Sequence, residues 1–171
     1  MQKLLISFLL AAIATSAYSA TYTTPKREFR SAWIATVWAL DWPRDANDNA
    51  ANNTNATVQK QQMIRMLDSL KNNNFNNVCF QVRSMCDAMY QSSYEPWSSY
   101  LTGTRGSTPS YDPLAFVVEE CHKRGMECHA WVNPYRYSTG SSWNTTQDKV
   151  VTNGEHTIAY NGVEILDPAQ Q

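Results

Sequence analysis

The chain has 171 residues and a formal net charge of −1, with 14 Lys and Arg against 15 Asp and Glu. This balance, without a basic stripe, argues against nucleic acid or an anionic membrane surface as a partner. The length allows one ordinary domain with a sizeable core.

The N-terminal segment has the layout of a secretory signal peptide. A basic residue near the start precedes the apolar run Leu4–Ala14, which is too short to span a bilayer. Small residues, Ala17 and Ser19, then precede a cleavage position. We predict that residues 1–19 are removed and that 20–171 is exported to the periplasm or extracellular space without a membrane anchor. A buried N-terminal helix is the alternative.

The first strand–helix unit follows the signal segment. Phe29–Val37 is apolar and aromatic, which predicts a buried strand. A helix is predicted from Thr57, because apolar residues then recur at helical spacing on one face. Asn72–Asn74 should end this helix, since Asn tolerates left-handed backbone. The residues on the apolar face are Met63, Met66, Leu67 and Leu70.

The second unit begins with a strand predicted at Asn77–Arg83, where polar and apolar residues alternate. The stretch 84–110 is too long for a plain connector and is a candidate functional loop. Asp112 is predicted to cap the second helix, with Pro113 in its first turn and Gly125 at its end. The predicted buried face consists of Leu114, Val117, Val118 and Cys121.

A third strand is predicted at Met126–Asn133, and a hairpin within 157–165 around Asn161-Gly162. On the third strand, one set of alternate residues should face helices, and these are Met126, Cys128, Ala130 and Val132. The opposite set should face a polar barrel interior, and these are Glu127, His129, Trp131 and Asn133. We expect Glu127 to pair with a Lys or Arg, and His129 to be either a catalytic partner or a core histidine.

Strands that alternate with helices pair in parallel. A doubly wound sheet normally carries a Gly-rich phosphate turn after its first strand, whereas Trp38–Pro43 follows here. The sequence therefore predicts an α/β fold of the partial (β/α)8 TIM-barrel type, containing about the first three strand–helix units.

Four cysteines, Cys79, Cys86, Cys121 and Cys128, match no zinc-ligand spacing. Cys121 on the second helix and Cys128 on the third strand could meet across their tight connection, and disulfides persist in exported proteins. Buried free thiols are the favoured interpretation.

Four segments together resemble a known family. They are REFRSAWIATVWALDWP (27–43), FNNVCFQVRSMCDAMYQSSYEPWSSYLTG (75–103), YDPLAFVVEECHKRGMECHAWVNPYR (111–136) and ILDP (165–168). They resemble the glycosyl-hydrolase-like family distantly related to family-ten glycosidases. The resemblance implies an exported bacterial barrel protein that acts on a polysaccharide, such as a cell-wall glycan. We predict no cofactor and no metal.

The resemblance also implies that part of the barrel is missing from this sequence. In that family the DP segment leads into a helix, and the next strand carries an Asp-rich run of the form DGxHxDDY with the main catalytic Asp. No such run occurs in this sequence, and a (β/α)8 barrel needs roughly 200 residues or more. We therefore expect 20–171 to be the N-terminal part of a barrel that is inactive alone and, with exposed strand edges, prone to aggregate or dimerise.

Active sites of such barrels lie at the C-terminal ends of the strands. Glycoside hydrolysis needs one protonated and one ionised carboxyl group. Asp87, within CDAMY, is the candidate general acid, with substrate binding or loop bracing as the alternative. Glu95 is expected to anchor its loop.

A second group of residues near the same rim is predicted to bind the glycan. Trp and Tyr rings stack on sugars, although they are also ordinary core residues. An internal ion pair is the alternative for Arg83. The predicted substrate-binding residues are Trp38, Asp41, Arg83, Trp97, Asn133, Tyr135 and Arg136. The rival to a hydrolase is a non-catalytic glycan-binding protein on a degenerate barrel.

Overall fold

The computed structural model describes residues 28–44, 53–138, 157–160 and 163–166. The predicted signal peptide and the Asn161-Gly162 turn lie outside the described residues. Among the helices that are described, none combines the length and apolar character needed to cross a membrane.

Three parallel strands form the central sheet, which confirms the predicted α/β class. They are β1 (Ser31–Ile34), β2 (Asn77–Arg83) and β3 (Glu127–Val132), in the order β1-β2-β3. The predicted bounds of β2 are correct. The first strand is shorter than predicted, because the chain turns into a 3-10 segment at Val37–Ala39 that contains left-handed backbone and cannot stay extended.

Two long helices connect the strands. α1 spans Ala56–Asn72, and the Asn55 side chain accepts hydrogen bonds from the first turn. A short helix, α2 (Ser99–Thr102), lies within the long loop and was not predicted. α3 spans Pro113–Lys123, with the predicted cap formed by the Asp112 carboxylate, which accepts from the Ala115 N–H at 2.9 Å. Gly125 ends this unit with a φ of +61°, a conformation that favours glycine.

The hydrophobic core lies between one face of the sheet and the helices α1 and α3. Alternate residues of β2 point into it, as the sequence pattern predicts, and α1 contributes the apolar face predicted for it. On α3, Phe116 packs against the core in place of the predicted Val118. Burial of each large apolar side chain contributes about 1.5–3 kcal/mol. The main contributors are Ile34, Met63, Leu67, Val78, Phe80, Val82, Val117 and Cys121.

The opposite face of the sheet is largely open. Trp33 is 63% exposed and meets Trp131 edge-on at a centroid distance of 4.8 Å. Glu127 pairs with His129 at 3.2 Å, so the expectation that its partner is a Lys or Arg was wrong. His129 is exposed, which excludes the core-histidine alternative. Val132, predicted to face helices, is 45% exposed because β3 is an edge strand of the described sheet.

A second, antiparallel sheet contains β4 (Arg136–Ser138), β5 (Thr157–Tyr160) and β6 (Val163–Leu166) in the order β4-β6-β5. Tyr160 pairs with Val163, which confirms the predicted hairpin pairing. β4 was not predicted.

Candidate functional site

The C-terminal end of β2 anchors the turn that follows β1. The Gln81 side-chain carbonyl accepts hydrogen bonds from the backbone N–H groups of Thr36 and Val37, both at 2.9 Å. The Thr36 hydroxyl donates to the Gln81 backbone carbonyl at 3.0 Å. Gln81 is fully buried, so the turn is held by a rigid element of the sheet.

Left-handed backbone at residues other than glycine concentrates at this end of the sheet. Trp38 has a φ of 53°, Ala39 of 50° and Cys86 of 46°. Such conformations are costly for a residue with a Cβ atom, and they cluster at functional sites. The Trp38 side chain is 52% exposed.

Arg83, the last residue of β2, ties three segments together. Its Nε donates to the Glu95 carboxylate, its Nη1 to the Asn133 backbone carbonyl and its Nη2 to the Cys86 Sγ at 3.0 Å. The guanidinium is therefore engaged on each nitrogen and almost fully buried. The internal ion pair that the sequence left as an alternative is present, with Glu95 as its partner.

Glu95 anchors its loop through Arg83 and has an altered acidity. Burial raises the pKa of the Glu95 carboxyl, although the charge of Arg83 opposes this shift and Asp87 adds to it. A carboxyl group with a raised pKa is a property of general acids in glycoside hydrolysis. No sequence pattern indicates this shift, because it depends on which loop residues enclose the carboxyl.

Asp87 lies buried in the loop after β2. One carboxylate oxygen, Oδ1, accepts from the Ser84 hydroxyl and from the Met85 N–H, both at 2.9 Å. The other oxygen, Oδ2, is buried and has no hydrogen-bond partner among the described residues. Asp87 thus braces its turn with one oxygen, while its second oxygen is enclosed without a hydrogen-bond partner among the described residues.

Tyr100, on α2, lies between Asp87 and the turn after β1. Burial raises the pKa of its hydroxyl, and the Trp38 backbone and the charges of Asp87 and Arg136 also act on this pKa. The structure therefore brings Trp38, Asp87, Tyr100 and Arg136 together, and we call these four residues the rim cluster. Tyr100 was missed in the sequence, because α2 itself was not predicted.

The other predicted binding residues differ in accessibility. The Asn133 side chain is engaged, since its amide donates to the Ser84 carbonyl at 3.2 Å and its oxygen accepts from the Trp131 indole at 2.9 Å. The exposed Asp41 accepts from the Ala35 N–H at 2.7 Å. Trp97 packs against the core, whereas Tyr135 is 54% exposed. Tyr135 therefore offers a free ring face, and Asn133 supports its neighbours.

A cavity of about 330 Å³ lies beside β1, away from Asp87. It is lined by Ala32, Trp33, Ile34, Asp41, Arg44, Met66 and Leu70. Across the residues that the structure describes, no three His, Cys, Asp or Glu side chains converge in a way that could hold a metal ion.

Comparison with known proteins identifies relatives for most of the chain. Residues 28–164 match the family described as Glycosyl hydrolase-like 10. Over 134 residues the chain is 41% identical to Glycosyl hydrolase YngK of Bacillus subtilis (strain 168), covering 78% of this chain and 25% of that protein. Over 130 residues it is 44% identical to Glycosyl hydrolase DigH of Escherichia coli (strain K12), covering 75% of this chain and 30% of that protein. The chain thus spans less than a third of the length of these curated relatives.

Proposed function

Because the chain belongs to the glycosyl hydrolase-like 10 family, we propose that it is the N-terminal part of an exported glycoside hydrolase. Its substrate is a polysaccharide, with a bacterial cell-wall glycan as the class we favour. In this proposal the sheet β1-β2-β3 and its helices form about the first three units of a (β/α)8 barrel. The observation that carries the proposal is the rim cluster at the C-terminal ends of the strands, where barrels bind their substrates.

The rim cluster, together with Tyr135 next to Arg136 in the sequence, supplies the side chains that would bind a glycan. The half-exposed ring of Trp38 and the ring of Tyr135 offer flat faces for sugar stacking. Arg136 donates hydrogen bonds to hydroxyl groups, and the buried Asp87 carboxylate contributes its charge to the same cluster. Arg83 and Asn133 act indirectly, since their hydrogen bonds fix the loops that carry these groups.

Hydrolysis further requires a proton donor to the glycosidic oxygen and a carboxylate that activates water or attacks the sugar. Asp87 and Glu95 are the carboxyl groups of the loop after β2 at this rim, and burial raises the pKa of Glu95 although its ion pair with Arg83 opposes the shift. Since Glu95 is held in an ion pair with Arg83 and the Oδ2 of Asp87 has no hydrogen-bond partner among the described residues, we assign the donor role to Asp87. The ionised partner is proposed to lie beyond residue 171, in a longer protein, so the 171 residues alone should bind glycan without cleaving it.

A non-catalytic glycan-binding protein is the second candidate. It is favoured by the number of rim groups that are occupied internally, since Arg83 and Asn133 have their polar atoms engaged. Under this reading the aromatic rings and Arg136 hold the glycan, and Asp87 serves only as a loop brace and hydrogen-bond acceptor.

The test is a sedimentation assay of the complete chain with insoluble cell-wall glycan, together with analysis of released soluble sugars. We expect binding without sugar release, and at least about a tenfold loss of affinity in Trp38→Ala, equivalent to about 1.4 kcal/mol. Phe29→Ala is the matched control, because Phe29 is 62% exposed but precedes β1 at the opposite end of the strand. Equal affinity of the two variants would refute the rim as the binding site.

The release of soluble sugars distinguishes the glycoside hydrolase from the non-catalytic glycan-binding protein. Cleavage by a longer protein that contains this chain, lost in its Asp87→Asn variant even at saturating glycan, supports the hydrolase. Binding without cleavage by that longer protein supports the binding protein. Cleavage by the 171 residues alone would place both carboxyl groups within this chain.

A further inference from the structure

Two of the cysteines are held close together by the connection between α3 and β3. Cys121 lies in the last turn of α3, and Cys128 is the second residue of β3. The Cys121 carbonyl accepts from the N–H groups of Arg124 at 3.0 Å and Met126 at 2.9 Å. These bonds fold the chain back at Gly125, so that the strand starts directly beneath the helix it follows.

Their side chains point to the same side of the sheet. Cys128 is in register with Val78, a fully buried core residue of β2, and itself packs partly buried against the core. Cys121 is fully buried in that core. The two thiols interact with each other, which raises the pKa of Cys121 and lowers the pKa of Cys128. Cys128, the more accessible of the two, is therefore also the one that more readily forms a thiolate.

The remaining cysteines have other partners. The Cys79 Sγ lies 3.5 Å from the Ser31 hydroxyl, on the opposite face of the sheet from Cys128. The Cys86 Sγ accepts from the Arg83 guanidinium at 3.0 Å. All four cysteines lie in the described chain as free thiols, and of these only Cys121 and Cys128 face one another.

We propose that Cys121 and Cys128 are a redox pair that closes to an intramolecular disulfide on reaction with a small-molecule disulfide such as oxidised glutathione. The Cys128 thiolate attacks one sulfur of the oxidant and expels one glutathione thiolate. The Cys121 thiol then loses its proton and attacks the Cys128 sulfur, expelling the second thiolate. Two protein thiols are oxidised, one disulfide is reduced to two thiols, and two protons enter the solvent or the released thiolates.

The bond would fasten the C-terminal end of α3 to the start of β3. β3 is an edge strand of the described sheet, so its outer side has no strand to hold it. A crosslink there restricts the unfolded chain and should raise the melting temperature. The proposal is independent of the glycan site, since neither thiol touches the rim cluster.

The sequence makes the test direct, because trypsin separates all four cysteines. Cleavage after Lys and Arg places them in peptides 72–83, 84–105, 106–123 and 125–136. The complete chain is incubated with oxidised glutathione, alkylated without reduction, digested and analysed by mass spectrometry. We expect peptides 106–123 and 125–136 to appear joined, about 2 Da lighter than their summed masses, with Cys79 and Cys86 alkylated.

Two variants and a melting curve complete the test. Cys128→Ser should abolish the joined peptide, whereas Cys79→Ser should retain it. The oxidised wild-type chain should melt several degrees higher than the reduced chain and lose this difference with dithiothreitol. Four alkylated thiols after oxidation of the folded wild-type chain, a bond to Cys79 or Cys86, or glutathione retained on Cys128 would each overturn the proposal. These outcomes are read from the wild-type chain, so they hold even if Cys128→Ser fails to fold.

Discussion

The guanidinium of Arg83 and the carboxylate of Glu95 form an ion pair in which the two side chains are only 9% and 10% exposed. Arg83 ends β2, and Glu95 lies in the long loop 84–98, so this pair fastens the loop to the sheet. Its neighbours Asn133 and Cys86 complete the hydrogen bonding of the guanidinium. The position of the loop that carries Asp87 therefore depends on the buried Arg83 charge keeping its ion pair with Glu95.

The first prediction concerns this ion pair. Glu95→Gln should lower the free energy of unfolding by about 3–5 kcal/mol, because it leaves the buried Arg83 charge without its counter-ion. Urea denaturation followed by circular dichroism measures the change. The control is Glu28→Gln, since the Glu28–Arg30 pair is exposed at 52% and 47%, and exposed pairs contribute little. Similar losses in both variants would mean that the Arg83–Glu95 pair is effectively open to solvent.

The second prediction concerns pH and the buried Glu120 of α3. Hydrogen bonds from Lys123 and Arg124, at 2.7 Å each, lower its pKa below the ordinary value of 4.5. Because the folded-state pKa lies below the unfolded value, the stabilisation is present above about pH 4.5 and is lost as the pH falls through the folded-state pKa.

Denaturation of the wild-type chain between about pH 6 and about pH 3 should therefore show a fall in stability that Glu120→Gln reduces. Glu119→Gln is the matched control, because Glu119 is the adjacent residue, is 65% exposed and contacts only Lys123 among the ion pairs of the described chain. If Glu119→Gln reduced the loss of stability at low pH as much as Glu120→Gln does, the effect would come from the net charge of the helix.

The third prediction separates the charge of Asp87 from its bracing role. Asp87→Asn keeps an oxygen that accepts from Ser84 and Met85 but removes the charge, so the fold should persist while glycan affinity falls about tenfold. Ser84→Ala removes one buried hydrogen bond and should cost about 1 kcal/mol of stability without the same loss of affinity. Binding isotherms and urea denaturation of both variants decide this, and a reversed pattern would make Asp87 a structural residue only.

Much of the fold could be predicted, because the sequence patterns that indicate it involve residues close together in the chain. The alternation in β2 and the Asp112–Pro113 start of α3 depend on neighbouring residues alone, and both were predicted correctly. Buried amides were not predictable in this way. Gln81 holds the turn after β1, and Gln59 accepts from the Tyr111 hydroxyl at 2.8 Å. Gln is usually exposed, so only the tertiary structure reveals these two as anchors.

The sequence predicted where the candidate site lies, but it predicted the role of each residue in that site less well. Parallel strands place their C-terminal ends at one edge, which brings Trp38 and Asp87 to the same region through Tyr100. What separates an exposed ring such as Trp38 from an engaged amide such as Asn133 is the packing of the loops between strands. Loop packing depends on contacts far apart in sequence, and residue spacing carries no information about them.

The fourth prediction follows from the open face of the sheet. Trp33 and Phe29 are 63% and 62% exposed there, and an exposed aromatic patch beside an edge strand favours association. Sedimentation velocity should show the 171-residue chain associating as its concentration rises, and Trp33→Ser should shift it toward monomer because less apolar area is buried between copies. Tyr94→Ser is the control, since Tyr94 is 75% exposed but lies in the loop after β2. A chain that stays monomeric at all concentrations, or one that Tyr94→Ser dissociates equally, would show that this face does not self-associate.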